Sequence, residues 1–179
     1  PLLLAERDWS FDPSLRPSLH GAHQIANANL AAQMARTIGI ADTAIAAGIA
    51  RAHWPARLQR LPGGWLTRGR EVWIDGAHNP AAAEALAVEL AKTPKHLVLG
   101  ILANKDADAI IEPLAHHALS LTFVDVRDHA SHYPRTLAAR WGGRVARNLS
   151  DAITDTPTLI AGSLYLCGEA LRLNGAQLE

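Results

Sequence analysis

The chain has 179 residues, 49% of them hydrophobic but only 5% aromatic, with 17 basic and 17 acidic side chains and no formal net charge. That length holds one full domain and part of a second, the Ala- and Leu-rich mixture suits helices packed on a sheet, and the charge balance leaves no basic footprint for nucleic acid. A single cysteine, Cys167, excludes an internal disulfide and fits a reducing compartment; with no apolar run long enough to span a membrane, a cytoplasmic location is expected.

The chain opens in mid-pattern with Pro1-Leu2-Leu3-Leu4 and without Met, too short an apolar run for a signal peptide, so a piece of a longer protein is expected. Pro13 and Pro17 keep residues 1–19 irregular. Ile25, Ala28, Ala32, Ala35 and Ile38 recur at helical spacing and predict a helix over 23–38 that Gly39 ends. Asp42 is placed to cap a second helix reaching about Ala52. Pro55, Pro62, Gly63 and Gly64 then mark a junction, and the domains are read as 1–53 and 54–179.

From Trp65 the rhythm changes. Strands are expected at 72–75, 96–101, 121–126, 144–147 and 158–161. Helices are expected at 80–91, 107–117, 134–141, near 150–153, and at 163–173. Such alternation implies βαβ crossovers and an α/β fold, a Rossmann-like, mostly parallel sheet flanked by helices. Asn79 fits an N-cap with Pro80 at the first helical position, and Asp106 fits a cap for the following helix.

The run Asp75-Gly76-Ala77-His78-Asn79-Pro80 puts an acid, an imidazole and an amide on one strand-to-helix turn. Ligands of open α/β sheets bind beside such strand ends, and a helix N-terminus suits phosphate or carboxylate. Yet G-x-x-x-x-G-K-[ST] is absent, Gly63-Gly64 precedes the first strand where it cannot cradle a dinucleotide, and Gly-x-Ser-x-Gly is missing. The domain reads as one jaw of a site whose other jaw lies elsewhere.

Four segments carry a family resemblance. They are His23-Gln24-Ile25-Ala26-Asn27-Ala28 (H-Q-x-x-N-A), Trp54-Pro55-Ala56-Arg57-Leu58-Gln59 (close to W-P-G-R-x-Q), Asp75–Pro80 (D-G-A-H-N-P), and Gly162-Ser163-Leu164-Tyr165 (G-S-L-Y). Gly100 to Asp106 is similar to G-x-x-x-D-K-D, with Asn104 in place of the first Asp. In this order they resemble the C-terminal part of the folylpolyglutamate synthase/dihydrofolate synthase family of Mur ligases. The resemblance makes 1–53 a helical tail of the central ATPase domain and 54–179 the C-terminal glutamate-ligase domain. Cell-wall Mur ligases, which usually carry other residues at the third motif and lack the W-P-x-R-x-Q segment, fit less well.

The resemblance implies ATP-dependent amide ligation: ATP phosphorylates a carboxylate of dihydropteroate or folate, and the amine of L-glutamate attacks the acyl phosphate. It assigns Asn27, Arg57 and Asp75 to ATP, the guanidinium to phosphate oxygens, the carboxylate to ribose hydroxyls and the amide to an adenine edge. His78 and Ser163 stand at the starts of two helices beside strand ends, a placement that can hold the carboxylates of glutamate, with His78 as the catalytic candidate guiding the amine; a turn histidine and a helix N-cap serine are the alternative readings. The cofactors implied are ATP and Mg2+, the metal held mainly by domains outside this sequence, with no metal ligand assigned here. The partner implied is the N-terminal ATPase domain of the same chain, and the piece alone is expected to be inactive.

Other candidates have plainer readings. His129 and His132 have metal-like spacing but no companion ligands and read as a solvent-facing loop. His116-His117 suit a helix C-terminus, and Cys167, Trp73 and Trp141 read as core. Two rival functions remain: a stand-alone nucleotide- or folate-binding module, and a nicotinamide-dependent oxidoreductase domain, the latter opposed by the missing glycine fingerprint.

Overall fold

A computed structural model describes residues 4–176, so the opening Pro1-Leu2-Leu3 lies outside the described residues. The chain divides into two compact units, Pro1–Pro55 and Ala56–Glu179.

The first unit holds α1 (Ala22–Thr37) and α2 (Asp42–Arg51). Gly39 takes a left-handed φ of 82°, which ends α1 as expected. The helix stops at Thr37, so Ile38 leaves the predicted apolar stripe and is 77% exposed, whereas Ala28 and Ala32 are buried. Asp42 does not cap α2; that position is Ala41, and the Asp42 carboxylate sits in the first turn, paired with Arg36 at 2.7 Å. Negative charge there suits the helix dipole whether or not it caps. Leu15, Ala32 and Ile45 form the small core. Beside it Asn29 is buried, with Oδ1 accepting from Asp12 N (2.6 Å) and Nδ2 donating to Asp12 O (3.0 Å) and Ile25 O (2.9 Å).

The second unit is a six-stranded sheet: β1 (Gln59–Arg60), β2 (Val72–Ile74), β3 (His96–Leu99), β4 (Ser120–Phe123), β5 (Arg144–Val145) and β6 (Thr158–Ala161). Its order is β1-β2-β6-β3-β4-β5, and every neighbouring pair is parallel except β1 with β2. The expected Rossmann-like, mostly parallel sheet is therefore present. β1 was not foreseeable by alternation, being two residues long between Pro55 and Pro62.

Helices α3 (Pro80–Lys92), α4 (Ala107–Ala115), α5 (Pro134–Trp141), α6 (Leu149–Ala152) and α7 (Leu164–Leu173) complete the unit. Side chains alternate across the strands. Leu97, Leu99, Phe123 and Leu159 pack with α3, α4 and α5 on one face; Val72, Ile74, Val98 and Ile160 pack with α6 and α7 on the other. Trp73 and Trp141 are only partly buried against the first layer, because each indole N–H reaches a carboxylate at the edge: Glu71 Oε1 at 2.7 Å and Asp108 Oδ1 at 3.0 Å. Cys167 is core, as expected.

The chain runs β2, β3, β4, β5 outward and then returns, placing β6 between β2 and β3. The reversal gathers the loops that follow β2, β6 and β3 at one end of the sheet, the position where open α/β sheets hold ligands.

Candidate functional site

The turn after β2 is built by its own side chains. Asn79 caps α3, its Oδ1 accepting from Ala82 N at 2.9 Å, and Pro80 begins the helix. Asp75 is 8% exposed. Its Oδ1 accepts from Ala77 N and its Oδ2 from Leu58 N, each at 2.8 Å. The second bond fixes the loop that carries Arg57. Gly76 N adds a bond to Ala56 O at 2.8 Å, and Gln59 Oε1 accepts from Ala56 N at 2.9 Å.

Those bonds have a conformation to hold. Ala56 and Leu58, on either side of Arg57, both lie in the left-handed region at φ 59° and 42°. Side-chain-bearing residues there cost of order 1–3 kcal/mol each and persist where surroundings over-determine them. At Gly76 a Cβ would stand 2.3 Å from Leu164 Cδ2, the tip of an exposed side chain that would have to turn aside.

The turn after β6 meets the first one directly: Gly162 N donates to Ala77 O at 3.0 Å. Gly162, at φ 100°, approaches the loop after β3 so closely that a Cβ would lie 2.8 Å from Gly100 O. Ser163 is buried and caps α7, its Oγ accepting from Tyr165 N at 3.1 Å. The loops after β3 and β4 are joined in turn by His132 N to Ile101 O (2.9 Å), Ala103 N to Ala130 O (3.0 Å) and the His132 ring to Lys105 O (2.9 Å). The His129 ring stacks on Tyr165 with centroids 3.7 Å apart.

His78 is half-buried, and its Nδ1 lies 2.7 Å from Gly76 O. A carbonyl only accepts, so Nδ1 carries the hydrogen, and in the neutral ring Nε2 is left as an acceptor. Behind the turn, Cys167 Sγ donates to Asp75 O at 3.2 Å. Burial pushes this thiol far above the ordinary cysteine range; the Asp75 charge raises it further, while Arg57 opposes. The thiol is a structural donor.

Arg57, Asp75, His78 and Ser163 thus belong to one hydrogen-bonded set of loops in the second unit. Asn27 belongs to the first unit, exposed on α1, with Nδ2 donating to Gln24 Oε1 at 3.2 Å. The residues that sequence reasoning left without a role are Gln59, Leu58 and Gly162, which hold the loops by a side-chain carbonyl, a main-chain N–H and a close approach respectively. Gln59 had a signal, as the last letter of the W-P-x-R-x-Q segment. His132, read as solvent-facing, is half-buried and braces the Lys105 loop instead. Among the described residues no three His, Cys, Asp or Glu side chains gather to hold a metal ion, and no helix is long and apolar enough to cross a membrane.

The family profile described as "Mur ligase, glutamate ligase domain" matches residues 56–168. The chain is 34% identical to the dihydrofolate synthase/folylpolyglutamate synthase of Mycobacterium tuberculosis, over 88% of this chain and 36% of that protein. It is 31% identical to the folylpolyglutamate synthase of Lacticaseibacillus casei, over 85% of this chain and 38% of that one. The crystal structure of the M. tuberculosis folylpolyglutamate synthase complexed with ADP and AMPPCP superimposes with a TM-score of 0.77 at 31% identity, covering 92% of this chain and 43% of that chain. The chain spans from 20% to 50% of the length of the curated relatives it matches.

Proposed function

This chain belongs to the Mur ligase family through its glutamate ligase domain, and we propose on that premise that it is the C-terminal portion of an ATP-dependent ligase that adds L-glutamate to dihydropteroate, to the γ-carboxyl of a folate, or to both. The observation that carries the reading is the joining of the Arg57, Asp75–Asn79 and Gly162–Tyr165 segments by hydrogen bonds, main-chain ones and those of the Asp75 carboxylate, at one end of the sheet.

In this reading the substrate carboxylate is activated as an acyl phosphate. Arg57, on a loop pinned before any ligand arrives, meets phosphate oxygens with its planar fork. Preorganisation matters because charge on the transferring phosphoryl group is stabilised by donors already in position. Asp75 supports the site through its carboxylate, which orients the Arg57 loop, and the contact to a ribose hydroxyl is assigned to it by the family resemblance. Asn27 is assigned to the adenine edge. His78 Nε2, oriented by Gly76 O, accepts a hydrogen bond from the incoming amine and so guides attack. The start of α7 at Ser163 offers main-chain N–H groups and partial positive charge to a glutamate carboxylate.

The donor sets present suit ATP phosphates but not a divalent cation, so Mg2+ and the phosphate loop are assigned to another domain of the full protein. By itself the chain is expected to release no phosphate. The test is a phosphate-release assay on the full protein, with L-glutamate and either dihydropteroate or tetrahydrofolate. Wild type should turn over at least one of them. Arg57→Ala should lose at least about tenfold in kcat/KM, roughly 1.4 kcal/mol of transition-state stabilisation. Absence of turnover with both acceptors, or near-normal kinetics in the variant, refutes the reading.

A further inference from the structure

A second cleft lies on the α3 face of the sheet, along β2 and the end of α3. It has a volume of about 220 Å3, and its walls include Leu58, Trp73, Leu90, Leu159, Glu71 and Lys95. None of these residues has a part in the ligation proposed above beyond the Leu58 main chain.

Lys95 is the unusual group. Its side chain is only 8% exposed, yet among the described residues its ammonium makes no hydrogen bond. Its nearest charge partner, Glu71 Oε1, is 3.8 Å away, and the Trp73 ring centroid is 5.4 Å away. Glu71 Oε1 is already engaged, accepting from Trp73 Nε1 at 2.7 Å. Among the described residues no fully buried side-chain nitrogen or oxygen lacks a partner, so the tip of Lys95 reaches the open cleft, where an acceptor on a ligand can meet its donors. The cleft therefore presents, side by side, a donor short of an acceptor and a carboxylate with acceptor capacity to spare.

The charge of the cleft is already balanced. Lys95 offsets Glu71, and Lys92 is bound to Glu89 at 2.8 Å. The C-terminal carbonyls of α3 also disfavour an added anion. The occupant that fits is neutral. Pockets for drug-sized ligands run from about 300 to 1,000 Å3, so this one takes something smaller.

We propose that this cleft binds a neutral planar heterocycle of one or two rings that presents a lactam edge, its carbonyl accepting from Lys95 Nζ and its adjacent N–H donating to Glu71, with the ring against the Trp73 indole, Leu90 and Leu159. A ligand there also touches Leu58, whose N–H holds Asp75.

The probe is quinazolin-4(3H)-one, with its 3-methyl derivative as the matched compound that keeps the ring and loses the N–H. Both are titrated into the full chain by calorimetry, with the indole N–H resonances followed by NMR. The lactam should bind once per chain and shift the Trp73 indole N–H. The methylated probe should bind at least about tenfold more weakly, and Lys95→Met, checked for unchanged cooperative unfolding, should weaken the lactam by a similar factor. Equal affinity for the two probes, undiminished binding by the Lys95→Met chain, or no binding up to the probe's solubility limit each overturns the proposal. The arm comparing two probes on the wild-type chain needs no variant to fold, and the outcome is independent of whether the full protein proves to be a ligase.

Discussion

The two units of this chain bury very different things. The sheet unit hides Phe123, Leu97, Leu99, Ile110, Ile111 and Ile160 almost completely. The helical unit has a core of Leu15, Ala32 and Ile45 and leaves Leu30 at 54%, Met34 at 64% and Ile38 at 77% exposure. Leu30 and Met34 share one face of α1 with Asn27, at spacings of three and four residues. The sheet unit covers both faces of its sheet with its own apolar side chains. The helical unit has local helix signals and an apolar face with nothing of its own to cover it. A short segment of this kind is marginal alone, because small structures bury too little surface.

The strongest test of that contrast is a cavity in the sheet unit. Leu99 is fully buried between β4 and β6 partners and the α3–α4 layer. Leu99→Ala should cost about 2–5 kcal/mol in urea unfolding. A loss below about 1 kcal/mol would mean that the unit relaxes around the hole and is not close-packed.

Next in size is Asp75, which joins core to site. Asp75→Asn replaces one of two carboxylate oxygens that accept from Leu58 N and Ala77 N. Leaving one of these N–H groups without its acceptor should cost about 1–3 kcal/mol. The left-handed pair Ala56 and Leu58 loses a restraint, so amide exchange should quicken at residues 56–58 more than in β3. Uniform exchange across both would show that Asp75 does not hold the Arg57 loop. This double role also makes Arg57, not Asp75, the cleaner variant for reading catalysis.

How much of this was legible follows the same division. In the sheet unit, apolar runs and cap residues located β2, β6, α3 and α7 closely, because buried strands and Asn-Pro or Gly-Ser capping leave direct marks in sequence. The Asp75–Pro80 turn was legible for the same reason. What the sequence did not reveal was the second partner of Asp75: Leu58 N is a main-chain donor, and any residue type supplies one. β1 was hidden because two residues have no period. In the helical unit the spacing of apolar residues found α1 but misjudged its stripe, since Ile38 falls beyond the helix end and Asn29 is buried by bonds to Asp12 that sequence spacing does not encode.

A smaller effect separates the interiors by pH. His96 is buried in the sheet unit, with Nε2–H directed at Ala152 O (3.2 Å) and Thr122 Oγ1 (3.1 Å), while Nδ1 accepts from Ser120 Oγ at 2.7 Å. Burial lowers its pKa below the ordinary imidazole value; the Ala152 bond opposes this and the Arg144 charge adds to it. The unfolded chain takes up this proton near pH 6.5 while the native chain still refuses it. The contribution is therefore complete above that pH and is lost as pH falls, by at most about 1.4 kcal/mol per pH unit, until the native imidazole also protonates. The difference in urea midpoint between wild type and His96→Gln should shrink from pH 7.5 to pH 5.5. A constant difference would show that His96 does not hold its neutral form in the native state.

The smallest expected effect is the most informative about the helical unit. Leu30 is a large apolar residue, and its removal from a packed core would cost several kcal/mol. On the exposed face of α1 it has little to lose, so Leu30→Ala should change the stability of this chain by no more than about 0.5 kcal/mol, helped by the better helix propensity of Ala. The same substitution in the full protein should be more costly if that face is covered there. Thermal unfolding of both lengths, with and without Leu30→Ala, reads the difference directly. Equal small losses would mean that the apolar face of α1 stays open in the full protein, and the contrast between the two units would then be a property of this helix and not of a missing cover.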